Sequence, residues 1–145
     1  MFDTLLRDFP GVVFLGKIDK QTVGVLRMKS CEGSQASSQE TDEDVLTETV
    51  SRVSHWKNVW ALHDPVDSHW HLGPVGVLPF HQDTGFGTQL MCRFCREVDA
   101  CKSPAYLETD LPENVRFYQK FNFQVVGETD IFGVKNFFMW RSPRL

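Results

Sequence analysis

The chain has 145 residues, 41% of them hydrophobic and 23% charged, with a formal net charge of −4. That length holds one domain, residues 1–145, with a real core, and the acidic balance argues against nucleic acid as a partner while suiting a cationic or amine ligand. No apolar run approaches the ~20 residues of a membrane span, and the opening MFDTLLRDFP lacks the basic start and long apolar stretch of a signal peptide, so a cytoplasmic protein is expected.

Phe2, Leu5, Leu6 and Phe9 recur at helical spacing and predict a short amphipathic helix stopped by Pro10 and Gly11. Residues 12–18 and 22–28 are rich in β-branched and apolar side chains, and Asp19, Lys20 and Gln21 between them predict a hairpin turn. Over residues 30–44 the composition turns to Ser, Gln, Glu, Asp and Thr, which predicts a solvated, mobile loop. Residues 45–62 read as a helix with Leu46, Val50, Val53 and Trp60 on an inward stripe, Trp56 beside it, and acidic residues at its start. His63, Asp64 and Pro65 end it.

Residues 69–91, HWHLGPVGVLPFHQDTGFGTQLM, organise the rest. Trp70, Leu72, Val75, Val77 and Leu78 form an apolar run with little alternation, the pattern of a strand covered on both faces. His69 and His71 share one face by the strand period of two. Gly85 and Gly87 permit backbone angles closed to other residues, and a helix follows with Leu90, Met91, Phe94 and Val98 on one face. A turn of free N–H groups entering a helix suits a phosphate. It is neither the dinucleotide fingerprint, since position 90 is Leu, nor a Walker loop, since no Gly-Lys-Ser/Thr follows. Residues 105–109 predict a strand, and Leu111-Pro112-Glu113 opens a helix that turns Val115, Phe117, Tyr118 and Phe121 inward. Residues 123–128 and 136–141 predict a closing strand pair. Cys92 and Cys95 have the spacing of a zinc or redox pair, but both fall in the helix with no second ligand pair, so no metal is expected and the four cysteines read as reduced thiols.

Gln82, Gly85 and Gly87 after an apolar strand, together with Asn114, Tyr118, Lys120 and Phe123 further on, resemble the GNAT superfamily of acetyl-CoA-dependent N-acetyltransferases. The two segments cover about half the chain. Asn122 stands where the family has Gly, and Asn is the next best residue for a left-handed cap. The resemblance implies an α/β acyl-CoA N-acyltransferase fold with a shortened N-terminus: a mixed central sheet whose fourth and fifth strands, in the family's count, splay apart around acetyl-CoA. It implies that backbone groups of Val75 and Val77 pair with the pantetheine arm. The turn of Gln82, Asp83, Thr84, Gly85, Phe86, Gly87 and Thr88 would hold the pyrophosphate, and Asn114 would contact the cofactor. Tyr118 would protonate the leaving thiolate. His71 or Glu108 would deprotonate the acceptor, a primary amine on a small molecule or peptide; the alternative is a non-catalytic acyl-CoA-binding or interaction module.

Two departures stand out. Asp83-Thr84 replaces the Gly or basic residues common in the family's turn, and a carboxylate beside a pyrophosphate is unfavourable unless it faces solvent. The family also begins with a strand and two helices before its first hairpin, whereas only Met1 to Phe9 precede it here. Residues 12–18 would then be a bare edge strand, expected to pair across a homodimer or to be covered by the helix at 45–62 or by the N-terminal segment.

Overall fold

The computed structural model of the chain describes residues 11–33 and 48–145. Strands β1 (Val12–Ile18) and β2 (Gln21–Cys31) form an antiparallel hairpin. Asp19 and Lys20 take φ of 47° and 72° between the closing pair Ile18 and Gln21, a two-residue turn whose twist suits paired strands. β2 runs further than the sequence suggests. Ser30 pairs with Trp70 and Cys31 with His69, so sheet pairing overrides the local polarity that assigned both to a loop. Residues 34–44 of that loop and the expected helix over residues 2–9 lie outside the described residues.

Helix α1 (Glu48–Leu62) departs from its expected packing. Val50 and Val53 are 44% and 49% exposed, and no residue of the helix is fully buried; Leu46 lies outside the described residues. The helix is anchored by its aromatic residues. Trp60 Nε1 donates to Asn136 Oδ1 at 2.9 Å, and His63, just past the helix, stacks on Phe138 with ring centres 4.0 Å apart. Asn136 has no exposed surface, so the Trp60 bond satisfies a buried amide that would be costly unpaired. These anchors lie on the far strand pair, not on β1, so the expectation that this helix shields the β1 edge is not met.

Strand β3 (His69–Val77) corrects the reading of its apolar run. Between Leu72 and Val75 it carries one residue more than β2 does between Met28 and Leu26, a bulge at Gly73-Pro74. The extra residue shifts the phase of alternation. Trp70 and Leu72 before it, and Val75 and Val77 after it, all pack toward the same core, while His69 and His71 face the other way. The run is thus an alternating strand whose period slips once, and not a strand equally buried on two faces.

A short 3-10 turn (Pro79–His81) and α2 (Phe86–Ala100) follow, then β4 (Ala105–Thr109), α3 (Pro112–Gln119), β5 (Gln124–Ile131) and β6 (Val134–Arg141). The six strands lie in the order β1-β2-β3-β4-β6-β5, all neighbours antiparallel except the parallel pair β3–β4. Ala105 and Leu107 of β4 and Met139 of β6 pack with Met91, Phe94 and Val98 of α2 and with Phe123, forming the core on one face. Tyr106, Glu108, Phe138 and Trp140 alternate onto the opposite face, where His69, His71 and α1 lie. Val115, Phe117, Tyr118 and Phe121 pack half-buried against the core. Asn122 takes φ 67°, the left-handed conformation that ends the turn after α3.

Arg141, 2% exposed, closes the sheet's far end. Its guanidinium donates to both carboxylate oxygens of Asp99 at 2.7 and 3.0 Å, and its Nε donates to the carbonyl of Phe121 at 2.9 Å. The ends of α2, α3 and β6 are thereby tied at one point by charge-assisted bonds.

Candidate active site

The parallel pair β3–β4 is joined only at Trp70–Ala105 and His71–Tyr106. Beyond His71 the two strands separate, which leaves a gap through the sheet. Leu78 N–H donates to Val23 on β2 at 2.8 Å, so by alternation Gly76 also addresses β2, and the backbone groups of Val75 and Val77 turn toward the gap. Gln82 Nε2 donates to the Val77 carbonyl at 3.0 Å, fastening the turn to the strand.

In that turn Asp83 takes φ 58° and Gly85 takes φ 90°, the latter directly before α2. Thr84 Oγ donates to the carbonyl of His81. The first α-helical bond counted from the turn is Gln89 N–H to Gly85 O at 3.0 Å. The N–H groups of Phe86, Gly87 and Thr88 therefore have no partner four residues back within the helix and face the turn. Asp83 is exposed, the one placement in which its charge is tolerable beside an anion. Gly87 differs from its expected role, because it sits inside the helix. A Cβ there would lie 3.5 Å from the Phe117 ring, so its small size lets α2 and α3 approach.

On the opposite face His71 Nε2 and Glu108 Oε2 lie 2.7 Å apart. The two residues that the sequence offers as rivals for one role are bonded to each other, at the point where strand pairing ceases. Side-chain exposure is 34% for His71 and 5% for Glu108, so the imidazole covers the carboxylate and itself meets solvent. Two neighbours escaped the sequence reading. Tyr106 sits beside His71, ring centres 5.6 Å apart, and its hydroxyl donates to the carbonyl of His63 at 3.3 Å. Burial, then the Glu108 and Asp64 charges, push its phenol far up, so it stays protonated. Asp64, after α1, is raised by burial first and by the Glu108 charge next. The only sequence signal for Asp64 was its place in the His-Asp-Pro stop of α1.

Asn114 and Tyr118 lie on α3, on the core face. Asn114 Nδ2 donates to Thr109 Oγ at 3.1 Å, which sets the start of α3 against the end of β4. Tyr118 packs edge-on to Phe117 and Phe123, and burial raises its phenol above the usual value. No hydrogen-bond partner meets its hydroxyl among the described residues. Burial also raises the thiols of Cys31 and Cys95, which leaves both weak nucleophiles.

A mixed sheet opened between two parallel strands, with a glycine turn feeding a helix at the mouth of the opening, defines the acyl-CoA N-acyltransferase fold. A family model described as Acetyltransferase (GNAT) family matches residues 1–123, and the chain belongs to that family, a family of transferases. Solved structures agree on the fold. The ribosomal-protein-S18-alanine N-acetyltransferase of Escherichia coli superposes with TM-score 0.66 at 10% identity, covering 100% of this chain and 78% of that one. A Corynebacterium glutamicum protein described as histone acetyltransferase HPA2 and related acetyltransferase gives TM-score 0.65 at 17% identity, covering 97% and 68%. Naa50 of Arabidopsis thaliana, solved with the bisubstrate analogue CoA-Ac-MVNAL, gives TM-score 0.57 at 14% identity, covering 90% and 72%. Among the described residues no helix is long and apolar enough to cross a membrane.

Proposed function

We propose that the chain, a single domain, transfers the acetyl group of acetyl-CoA directly to a primary amine of a small molecule or peptide. On this reading the gap beyond His71, where β3 and β4 cease to pair, is reached from both faces of the sheet. Acetyl-CoA is the co-substrate and enters from the side of α2 and α3. Its pantetheine arm pairs with Val75 and Val77, its pyrophosphate lies on the turn from Gln82 to Thr88, and Asn114 contacts it. The acceptor enters from the side of α1. The His71–Glu108 pair accepts a proton from the ammonium, directly or through one water, and the freed nitrogen attacks the thioester carbon. N–H groups near Val75 to Val77 stabilise the oxyanion. As the C–S bond breaks, Tyr118 gives its proton to the thiolate.

The observation that carries this reading is the 2.7 Å His71–Glu108 contact at the last paired position of β3 and β4. A half-exposed base backed by a nearly buried carboxylate is a costly arrangement for stability alone. The test is release of CoA from acetyl-CoA with a panel of amines and short peptides, run beside CoA binding. Turnover that falls on Glu108→Gln while CoA binding holds supports the reading; CoA binding without turnover across the panel returns the chain to a non-catalytic acyl-CoA-binding module.

Two further assignments belong to the same reading. β1 is the sheet's edge, with Leu15 49% exposed, and among the described residues nothing pairs with its outer side. A homodimer joined along Val12–Ile18 would satisfy those backbone groups. Leu15→Lys should then convert a dimer to a monomer in sedimentation; a wild-type monomer with this edge bare refutes it. The four free thiols fit a reducing, cytoplasmic setting, read by fractionation of a tagged chain.

A further inference from the structure

α1 enters the fold between β2 and β3 and lies on the face of His71 and Glu108. Its exposed side does not pack on the sheet, yet it is rich in aromatic and cationic groups. Between α1 and the β5–β6 turn runs a groove of about 400 Å³ lined by Arg52, Val53, Trp56, Lys57, Trp60 and Phe132. Its walls are almost wholly apolar: Arg52 and Lys57 line it with their stems and carry their charges at its rim, and among the described residues no carboxylate lines it. Arg52 stacks over the Phe132 ring, 4.2 Å from its centre, which leaves the edge of the guanidinium free for an anion. Among the described residues neither Arg52 nor Lys57 has an acidic partner.

A chain of side-chain contacts links the groove to the proposed reaction site. Glu108 faces Phe138 across the β4–β6 ladder, and His63 stacks on Phe138. From there α1 leads back through Trp60, which bonds Asn136, to Lys57 and Arg52. At 1.5 Å per helical residue, His63 stands roughly 9 Å from the level of Lys57 and roughly 16 Å from that of Arg52. A free amino acid, whose amine and carboxylate share one carbon, is too short to reach from the dyad to these cations. An extended peptide covers ~3.3 Å per residue and spans the distance in about three to five residues.

We propose that this groove binds the acceptor beyond its amine, and that the acceptor is a peptide with an apolar or aromatic residue followed by an acidic one, about three to five positions from the reacting amine. The inference rests on the acetyl-transfer reading for the position of the amine. The groove itself is tested by binding. Trp56, Trp60 and Phe132 hold the apolar side chain, and Arg52 and Lys57 pair with the carboxylate. The pattern in α1 that a core-facing helix does not explain, exposed apolar residues interleaved with cations that meet no carboxylate among the described residues, is what such a ligand requires.

The experiment measures anisotropy of C-terminally labelled pentapeptides with the full chain saturated with CoA. One peptide carries Phe and Glu at positions three and four, one has Gln for that Glu, and one has Ser for that Phe. The acidic apolar peptide should bind at least about tenfold tighter than either control. Arg52→Gln with Lys57→Gln should abolish the preference for Glu over Gln, and Trp56→Ala the preference for Phe over Ser. Both cations are exposed, so the double variant should melt with wild type and bind CoA equally. Equal binding of the three peptides, or a preference that survives the double variant, overturns the proposal. Binding with the stated preference but no CoA release from acetyl-CoA would leave the groove standing and refute the transfer reading; turnover of small amines with no peptide binding would do the reverse.

Discussion

Replacing Tyr118 by Phe isolates one proton. The ring contacts remain: Phe117 and Phe123 lie with centres 5.4 and 6.0 Å away, and Phe has the same ring. The hydroxyl has no hydrogen-bond partner among the described residues, so its loss strands no buried group. Stability should therefore change by less than about 0.5 kcal/mol. Catalysis should not be spared. A positioned general acid contributes about 10²–10⁴-fold, equivalent to ~2.7–5.4 kcal/mol of barrier. Burial raises the Tyr118 phenol, so the acid form persists above the usual phenol range, and the wild-type rate should hold into alkaline pH before it falls. The assay is CoA release against pH, with CoA affinity and melting temperature measured in parallel. Near-normal turnover of Tyr118→Phe at every pH would refute the assignment and make Tyr118 a core aromatic. An equal loss of CoA affinity would show that the hydroxyl binds and does not react.

Glu108→Gln and His71→Gln should each lower turnover by about 10²-fold or more; near-normal turnover in both assigns the base to solvent. Asp83→Gly should tighten CoA several-fold, since it removes a negative charge from the turn proposed to hold the pyrophosphate; titration calorimetry showing weaker binding would refute it. Asp99→Asn should cost about 3–5 kcal/mol by leaving the Arg141 charge buried and unpaired. The Arg141 bond holds the Asp99 carboxyl below its usual range, so its contribution is present above the ordinary carboxylate pKa and lost as pH falls through the lowered one. The acid-induced drop in wild-type melting temperature should therefore be smaller in Asp99→Asn; equal slopes would show that the pair carries no linkage.

The turn from Gln82 to Gly87 was legible because it depends on local backbone: Gly85 takes a left-handed angle and Gln82 reaches back only to Val77. The α3 cap at Asn122 was legible for the same reason. The bulge at Gly73-Pro74 was not, since one slipped residue makes an alternating strand read as a continuous apolar run. Nor was the His71–Glu108 bond: the two residues are 37 apart in sequence, and only the β3–β4 register brings them together. Helix α1 misled because an amphipathic stripe reports that a face is apolar and not what it meets. Val50 and Val53 obey the period and yet stay half exposed, while anchoring falls to Trp60 and His63.

The strand order carries a consequence for how the chain is made. β6 follows β5 in sequence but lies between β4 and β5. While the ribosome is still holding residues 134–141, β4 has an open edge next to the future site, and β5 has no partner at all. Arg141, which fastens α2 and the turn after α3, is the last residue of β6 to be made. Domains generally fold as units during synthesis, but this sheet must wait for residues 134–141, with two strand edges unpaired in the meantime. A stop codon even slightly upstream of Arg141 should therefore yield a chain that aggregates or recruits chaperones, and a translational pause between β5 and β6 should be more hazardous than one before β4.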